Sequence, residues 1–338
     1  MNRVETSAPV HVDPERVRSV LAHGPGDCAV TVLVPAYNEF ESLPPLVERL
    51  EAVLAGVTDD YEILVVDDGS DDGTRGELRR LRNEHARLRS ISFLRNYGKS
   101  AALAVGFREA RGRVVVTIDA DLQDDPEEIP HLIAKLGEGW DLVSGWKQAR
   151  KDPLVKTSTS KLFNAVTRRV SGLHLHDFNC GLKAYRSRVA RSLRVYGELH
   201  RYLPVLAHVQ GFRVTEVPVR HHERHFGVTK FGRSRFVNGL LDLLTVVFLT
   251  RQRTSPLHFF GRLGLLFGGA GTLVLAWFLG VWIVEQALRL RPMLLFGVAL
   301  VLVGVQFVSL GLLGELFVAT RDTTTQYQVR DEDEDEER

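Results

Sequence analysis

From Ala29 onward, short apolar runs alternate with segments whose apolar residues recur at helical spacing. Runs at Ala29 to Val34, Glu62 to Val66, Ser90 to Leu94, Val114 to Ile118 and Asp141 to Ser144 predict strands. Between them, patterns near Ser42 to Leu54, Thr74 to His85, Ser100 to Ala110 and Pro126 to Leu136 predict helices. Strand and helix in turn imply right-handed crossovers, hence an α/β domain with a mostly parallel sheet covered on both faces. After Ser144 the alternation loosens, with helices expected over Thr159 to Val170 and Leu199 to Gln210 and a strand over Arg213 to Val219. Residues 1 to 28 are polar and carry only a weak helical stretch near Glu15 to Ala22.

The pattern then changes character. Leu263 to Ile283 and Met293 to Gly314 are uncharged runs of 21 and 22 residues, each long enough to cross roughly 30 Å of hydrocarbon as a helix. Unbroken apolarity without a polar face is hard to house in a soluble core. The short connection Val284 to Pro292 predicts a transmembrane hairpin with both ends on one side. Arg251, Arg253 and Arg262 precede the first span and Arg321 follows the second, against Arg289 and Arg291 in the connection, which predicts a multi-pass cell-membrane protein with its soluble domain in the cytoplasm. Ser234 to Thr250, apolar with Asn238 and Asp242 four apart, reads as a juxtamembrane amphipathic helix along the bilayer surface. Gly264 and Gly268, and Gly297, Gly304 and Gly311 at seven-residue intervals, put small residues on one face of each span and allow close helix packing. The expected organisation is an N-terminal extension (1–28), an α/β domain (29–230), a juxtamembrane region (231–256), two spans (257–320) and an acidic tail (321–338).

Charge adds to this picture. The net of +1 conceals a tail, Asp331 to Arg338, with seven acids and one arginine; without it the chain has 42 basic and 35 acidic residues. A basic body suits a domain resting on anionic lipid, and nothing points to a nucleic-acid partner. Two cysteines, Cys28 and Cys180, support no disulfide framework and fit a reducing cytosol. Asp13, Glu15 and Asp27 interrupt any signal-peptide core.

In parallel sheets ligands bind beyond the carboxyl ends of the strands, and the polar motifs fall there. Pro35-Ala36-Tyr37-Asn38-Glu39 follows the first strand, Asp67-Asp68-Gly69-Ser70 the second, Asn96-Tyr97-Gly98-Lys99 the third and Asp119-Ala120-Asp121-Leu122-Gln123 the fourth. Two carboxylates and an amide at one strand end suit Mg²⁺ or Mn²⁺, which complete their shells with water and substrate phosphates; the implied substrate carries a diphosphate. Asp67 and Asp68 suit a base or ribose, though Asp-Gly turns also use such residues structurally. Arg224-His225-Phe226-Gly227-Val228-Thr229-Lys230 combines two cations, a glycine and a hydroxyl in a set that suits phosphate. The spacings of His174, His176, His221, His222 and His225 match no familiar zinc arrangement.

Together these motifs resemble glycosyltransferase family 2, and within it the polyprenyl-phosphate glycosyltransferases, such as dolichol-phosphate mannosyltransferases and undecaprenyl-phosphate glucosyltransferases. The resemblance covers about residues 29 to 320. It implies a GT-A fold and inverting transfer of one sugar from a nucleotide diphosphate sugar, of UDP-glucose or GDP-mannose type, to a polyprenyl phosphate. By motif it implies that Pro35, Tyr37, Glu39, Asp67, Asp68 and Lys99 contact the nucleotide sugar and that Asp119, Asp121 and Gln123 bind diphosphate and metal. Lys147, Arg224 and Lys230 would face the acceptor phosphate, with Asp121, Asp119 and Arg224 central to catalysis. The family often has an arginine after the fifth strand where this chain reads Gly145-Trp146-Lys147, and the Q-x-x-R-W motif of processive synthases is absent.

A phosphate monoester has its second pKa near 6, so a polyprenyl phosphate attacks largely as a dianion without a general base. Asp177 is the candidate base for a hydroxyl acceptor. The competing expectations are a membrane glycosyltransferase with a hydroxyl lipid or glycan acceptor, and a nonenzymatic membrane scaffold. Two spans enclose too little path for a flippase and are few to shelter a long prenyl tail, which leaves room for a homo-oligomer.

Overall fold

The computed structural model describes residues 13–147, 164–165, 167–169, 171–222, 256–285 and 292–319. The chain divides into two compact units, Met1–Leu243 and Leu244–Arg338.

In the first unit, β1 (Cys28–Ala36), β2 (Tyr61–Asp67), β3 (Leu88–Ser92), β4 (Gly112–Thr117), β5 (Leu142–Lys147), β6 (Lys183–Arg186) and β7 (Val214–Val219) form one seven-stranded sheet. Its order is β3-β2-β1-β4-β6-β5-β7, parallel except where β6 runs antiparallel to both neighbours. The central strands β1 and β2 read as almost continuous apolar runs and are buried along nearly their whole length, as a sheet covered on both faces requires. The helices α1 (Pro14–Ala22), α2 (Leu43–Ala55), α3 (Thr74–Glu84), α4 (Lys99–Glu109), α5 (Ile129–Leu136), α6 (Ser187–Ser192) and α7 (Leu203–Val209) join or flank these strands. α1 starts at Asp13, whose side chain accepts a hydrogen bond from the Glu15 amide, and it delivers Val17, Val20 and Leu21 to the core.

Register makes the site. Ala36 pairs with Asp67, Asp67 with Ser92, and Leu33 with Thr117, so the loops after β1 to β4 leave one edge of the sheet together.

Three differences from the sequence reading are physical. The β6 strand, Lys183-Ala184-Tyr185-Arg186, carries a lysine and an arginine in four residues and gives no alternation to read. The helix expected over Leu199–Gln210 is a 3-10 turn, Leu199–Tyr202, followed by α7; Pro204 has no amide hydrogen for an interior helical bond and takes the first turn of a new helix instead. Of the helix expected over Thr159–Val170, residues 164–165 and 167–169 are helical. The Ser234–Thr250 segment lies outside the described residues.

The second unit holds α8 (Pro256–Glu285) and α9 (Pro292–Ala319). Their spans Leu257–Val284 and Pro292–Gly314 are long and apolar enough to cross a membrane, and only 6% and 11% of their most apolar windows is buried, unlike helices of a soluble core. The glycines allow backbone contact between them. A Cβ on Gly304 would lie 2.5 Å from the Gly268 nitrogen, and one on Gly271 would lie 2.7 Å from the Gly297 oxygen.

Candidate active site

The loops after β1 and β2 are tied together by a polar network. The Asn38 side chain donates to Asp71 Oδ1 (2.7 Å) and its backbone amide to Ser70 Oγ (2.9 Å), while the Glu39 amide donates to Thr74 Oγ1 (3.0 Å). Asn38 takes a left-handed φ of 58° to do so. Glu39 accepts from Ser42 Oγ at 2.5 Å, so part of its carboxylate serves the start of α2.

The two aspartates at the end of β2 divide their work. Asp68 accepts the Tyr97 and Gly98 amides at 2.7 and 2.9 Å, which anchors the loop before α4; burial raises its pKa against those hydrogen bonds. Asp67 is fully buried, and its Oδ1 accepts from the Ser70 amide and hydroxyl. Its Oδ2 has no hydrogen-bond partner among the described residues. A buried carboxylate oxygen without a donor is costly, and a ligand N–H or O–H would relieve that cost.

Asp119 and Asp121 follow β4 in a turn where Leu122 adopts φ 60°, a conformation that a bulky side chain takes only under strain. The turn is fixed by the Gln123 amide donating to Asp121 Oδ1 at 3.2 Å. Lys99 Nζ lies 2.5 Å from Asp119 Oδ1. Burial pushes the Asp119 carboxyl up, but Lys99, with Lys147, more than reverses this and holds it below its ordinary value. Gly181 makes room for it: a Cβ there would lie 2.5 Å from Asp119 Cγ. Among the described residues no three His, Cys, Asp or Glu side chains form a ready-made metal cage. Two carboxylates offering hard oxygen donors still fit Mg²⁺ or Mn²⁺, whose remaining positions go to water and substrate phosphate.

Three site residues escaped the sequence reading. Asp124 is almost fully buried and pairs with Lys147 Nζ at 2.7 Å, with His221 Nδ1 at 3.7 Å. Burial works against both ions, and their mutual attraction wins, lowering the aspartate pKa and raising that of the lysine. Lys147 therefore has an internal partner beside the metal-type turn. Lys183, on β6, is fully buried, donates to the Cys180 carbonyl and has its pKa lowered by burial. His200 is half-buried and held neutral, its pKa pushed down to about 3 by partial burial and by Lys99 and Arg201; its Nδ1 is 3.0 Å from Ser100 Oγ. A cleft of about 290 Å³, mouth included, brings Pro35, Lys99, Asp119, Asn179, Lys183 and His200 together. The available signals were a third acid directly after the Asp-x-Asp turn and a lone lysine inside an apolar stretch.

Elsewhere, Trp146 stacks on His176 at 4.0 Å between ring centroids, and His176 pairs with Glu216. His222 Nε2 is 3.0 Å from Asp125 Oδ2. Asp177 is buried and accepts the Asn179 amide. Arg224 and Lys230 lie outside the described residues.

Comparison with known proteins gives this geometry a family. Residues 31–194 match the model described as Glycosyl transferase family 2. Dodecaprenyl-phosphate galacturonate synthase of Rhizobium johnstonii is 39% identical over 311 residues, covering 89% of this chain and 92% of its own. Undecaprenyl-phosphate 4-deoxy-4-formamido-L-arabinose transferase of Salmonella dublin is 39% identical over 290 residues, covering 85% and 87%. Among solved structures, glucosyl-3-phosphoglycerate synthase from Mycobacterium tuberculosis, in complex with Mn²⁺, uridine-diphosphate-glucose and phosphoglyceric acid, superposes with a TM-score of 0.53 at 20% identity, over 74% of this chain and 89% of that one. The sheet and its edge are thus a GT-A fold, and the chain belongs to glycosyl transferase family 2, among its polyprenyl-phosphate sugar transferases.

Proposed function

We propose that this protein transfers one sugar, with inversion at the anomeric carbon, from a nucleotide diphosphate sugar of UDP-glucose or GDP-mannose type to a polyprenyl phosphate at the cytoplasmic face of the cell membrane. The observation that carries the reading is the pairing of ionised Asp119 with Lys99 beside Asp121 at the C-terminal edge of β4, in a chain that also has two membrane-length apolar helices. The relatives' names, which specify dodecaprenyl phosphate and undecaprenyl phosphate, support the acceptor.

In this reading Asp67 Oδ2 accepts a hydrogen bond from the nucleotide, with Pro35 and Tyr37 beside it. Asp68 and Glu39 hold the loops that shape that subsite. Asp119, Asp121 and Gln123 would hold Mg²⁺ or Mn²⁺, which when bound would supply positive charge against the departing diphosphate. Lys99, paired with Asp119, would add positive charge beside the same phosphates. The acceptor phosphate oxygen attacks the anomeric carbon as the bond from that carbon to the diphosphate oxygen breaks. The nucleophile is already ionised, so the residues position and stabilise charge rather than remove a proton. Arg224 and Lys230 face the acceptor phosphate, and Lys147, held by Asp124, adds positive field to that side.

Purified protein would be given undecaprenyl phosphate and a panel of UDP and GDP sugars, with and without a metal chelator. A chloroform-soluble, chelator-sensitive product is expected. Absence of product from every donor, with nucleotide binding intact, overturns the reading.

A further inference from the structure

Lys183 is a buried cation with no ion pair among the described residues. Its residue is 2% exposed, and its Nζ donates to the Cys180 carbonyl alone. An ammonium has three donors, so two are unspent where water scarcely reaches. Asp177 and Asp119 attract it from farther off, yet burial outweighs them and its pKa stays lowered. An uncompensated buried charge is costly. Lys183 is not sealed in the core, however, because it lines the same cleft as Pro35, Lys99, Asp119, Asn179 and His200.

Sheet order says which part of a donor reaches it. Neighbouring strands run β2-β1-β4-β6, with Asp67 ending β2, Asp119 just beyond β4 and Lys183 opening β6. Lys183 pairs with Thr117, the last residue of β4, and so stands at the same edge. With the nucleoside at Asp67 and the diphosphate at Asp119, the sugar extends over the next strand, about 5 Å further on. A pyranose ring spans about that distance from the anomeric oxygen to the substituent at C6.

A second donor is available from His200. Ser100 Oγ accepts the His200 amide at 3.2 Å and lies 3.0 Å from its Nδ1; with the hydroxyl hydrogen assigned to Nδ1, the ring proton sits on Nε2. A carboxylate offers two oxygens to such a pair of donors. A hydroxymethyl group offers one neutral oxygen and leaves the ammonium uncompensated.

We propose, resting on the nucleotide-sugar reading above, that the donor is a nucleotide diphosphate hexuronate and that Lys183 selects it by pairing with the carboxylate at C6, His200 Nε2 donating to the second oxygen. Lys99 is already paired with Asp119 and serves the diphosphate side, which leaves Lys183 for the sugar. The carboxylate is recognised and not changed, so transfer at the anomeric carbon proceeds as for a neutral hexose.

The test is isothermal titration calorimetry of the full chain in detergent with matched pairs that differ only at C6. These are UDP-glucuronate and UDP-glucose, UDP-galacturonate and UDP-galactose, and GDP-mannuronate and GDP-mannose. In at least one pair the uronate should bind about tenfold more tightly or better, as a charge-assisted bond to a buried partner implies. Lys183→Met should remove that preference and leave affinity for the bare nucleotide diphosphate unchanged, while Lys183→Arg should keep most of it. If Lys183→Met fails to fold, the matched pairs on the wild-type chain still decide. Equal affinity within every pair would overturn the proposal. So would a loss in Lys183→Met as large for UDP or GDP as for the uronate, which would make Lys183 a diphosphate contact. Lipid-linked product is scored separately. A uronate preference without product defeats the transfer reading alone, product with equal affinities defeats the uronate assignment alone, and failure of all six sugars to bind defeats both.

Discussion

The Asp124–Lys147 pair permits a quantitative test because both groups are largely withdrawn from water, with side chains 1% and 12% exposed and 2.7 Å apart. Removing one partner of a buried pair leaves the other charge uncompensated and typically costs about 3–5 kcal/mol, whereas replacing both ions with neutral groups of similar size is often close to neutral. Asp124→Asn and Lys147→Met should therefore each destabilise the α/β unit by about 3 kcal/mol or more, a fall in midpoint of roughly 6–12 °C for a unit of this size. The double variant should be more stable than either single one, with a coupling energy of at least about 2 kcal/mol. The assay is thermal unfolding of detergent-purified protein followed by near-ultraviolet circular dichroism, with the four proteins compared at one pH and scan rate. Single losses that simply add in the double variant would refute the claim that the two charges depend on each other. Transfer activity separates a second question. Lys147 also acts electrostatically on Asp119, so the double variant should recover stability while its transfer rate stays reduced; full recovery of transfer would make Lys147 only a counter-ion for Asp124.

Three further outcomes follow from the same site. Asp121→Asn should lower sugar transfer by roughly 10²-fold or more with little change in unfolding midpoint, and retained turnover would remove Asp121 from the site. Gly181→Ala should displace Asp119, since the added Cβ would sit 2.5 Å from its Cγ; a loss of about 1–3 kcal/mol in stability and weaker activation by Mn²⁺ are expected, and wild-type metal titrations would contradict the contact. His200 is neutral in the fold, with a pKa near 3 against about 6.5 in the unfolded chain. The unfolded state alone takes up that proton as pH falls from 6.5 toward 3, so stability drops over this window. Between pH 7 and pH 5 the loss is about 2 kcal/mol, and His200→Gln should lose that much less, as read by unfolding midpoints at the two pH values.

Local patterns carried much of this protein. The alternation of apolar strands and helical segments follows from side-chain periodicity within a few residues, so β1, β2, β4 and their helices were legible, as were the two spans. The edge motifs were legible for the same reason: a polar cluster directly after a buried strand can only emerge at its carboxyl end. What the chain alone did not disclose depends on segments far apart in sequence. β6 is made a strand by pairing with β4 and β5 on either side, not by its own four residues. Asp124 and Lys147 are 23 positions apart, and Lys99 and Lys183 84 apart, yet the first two pair with each other and the second two line one cleft because sheet order and register place them there. Asp68, read as a nucleotide ligand, is drawn to the Tyr97 and Gly98 amides, since a buried carboxylate takes the nearest donors. Residue chemistry and period thus determined which groups reach the sheet edge, while burial and pairing across the sheet decided which of them bind each other and which are left for a ligand.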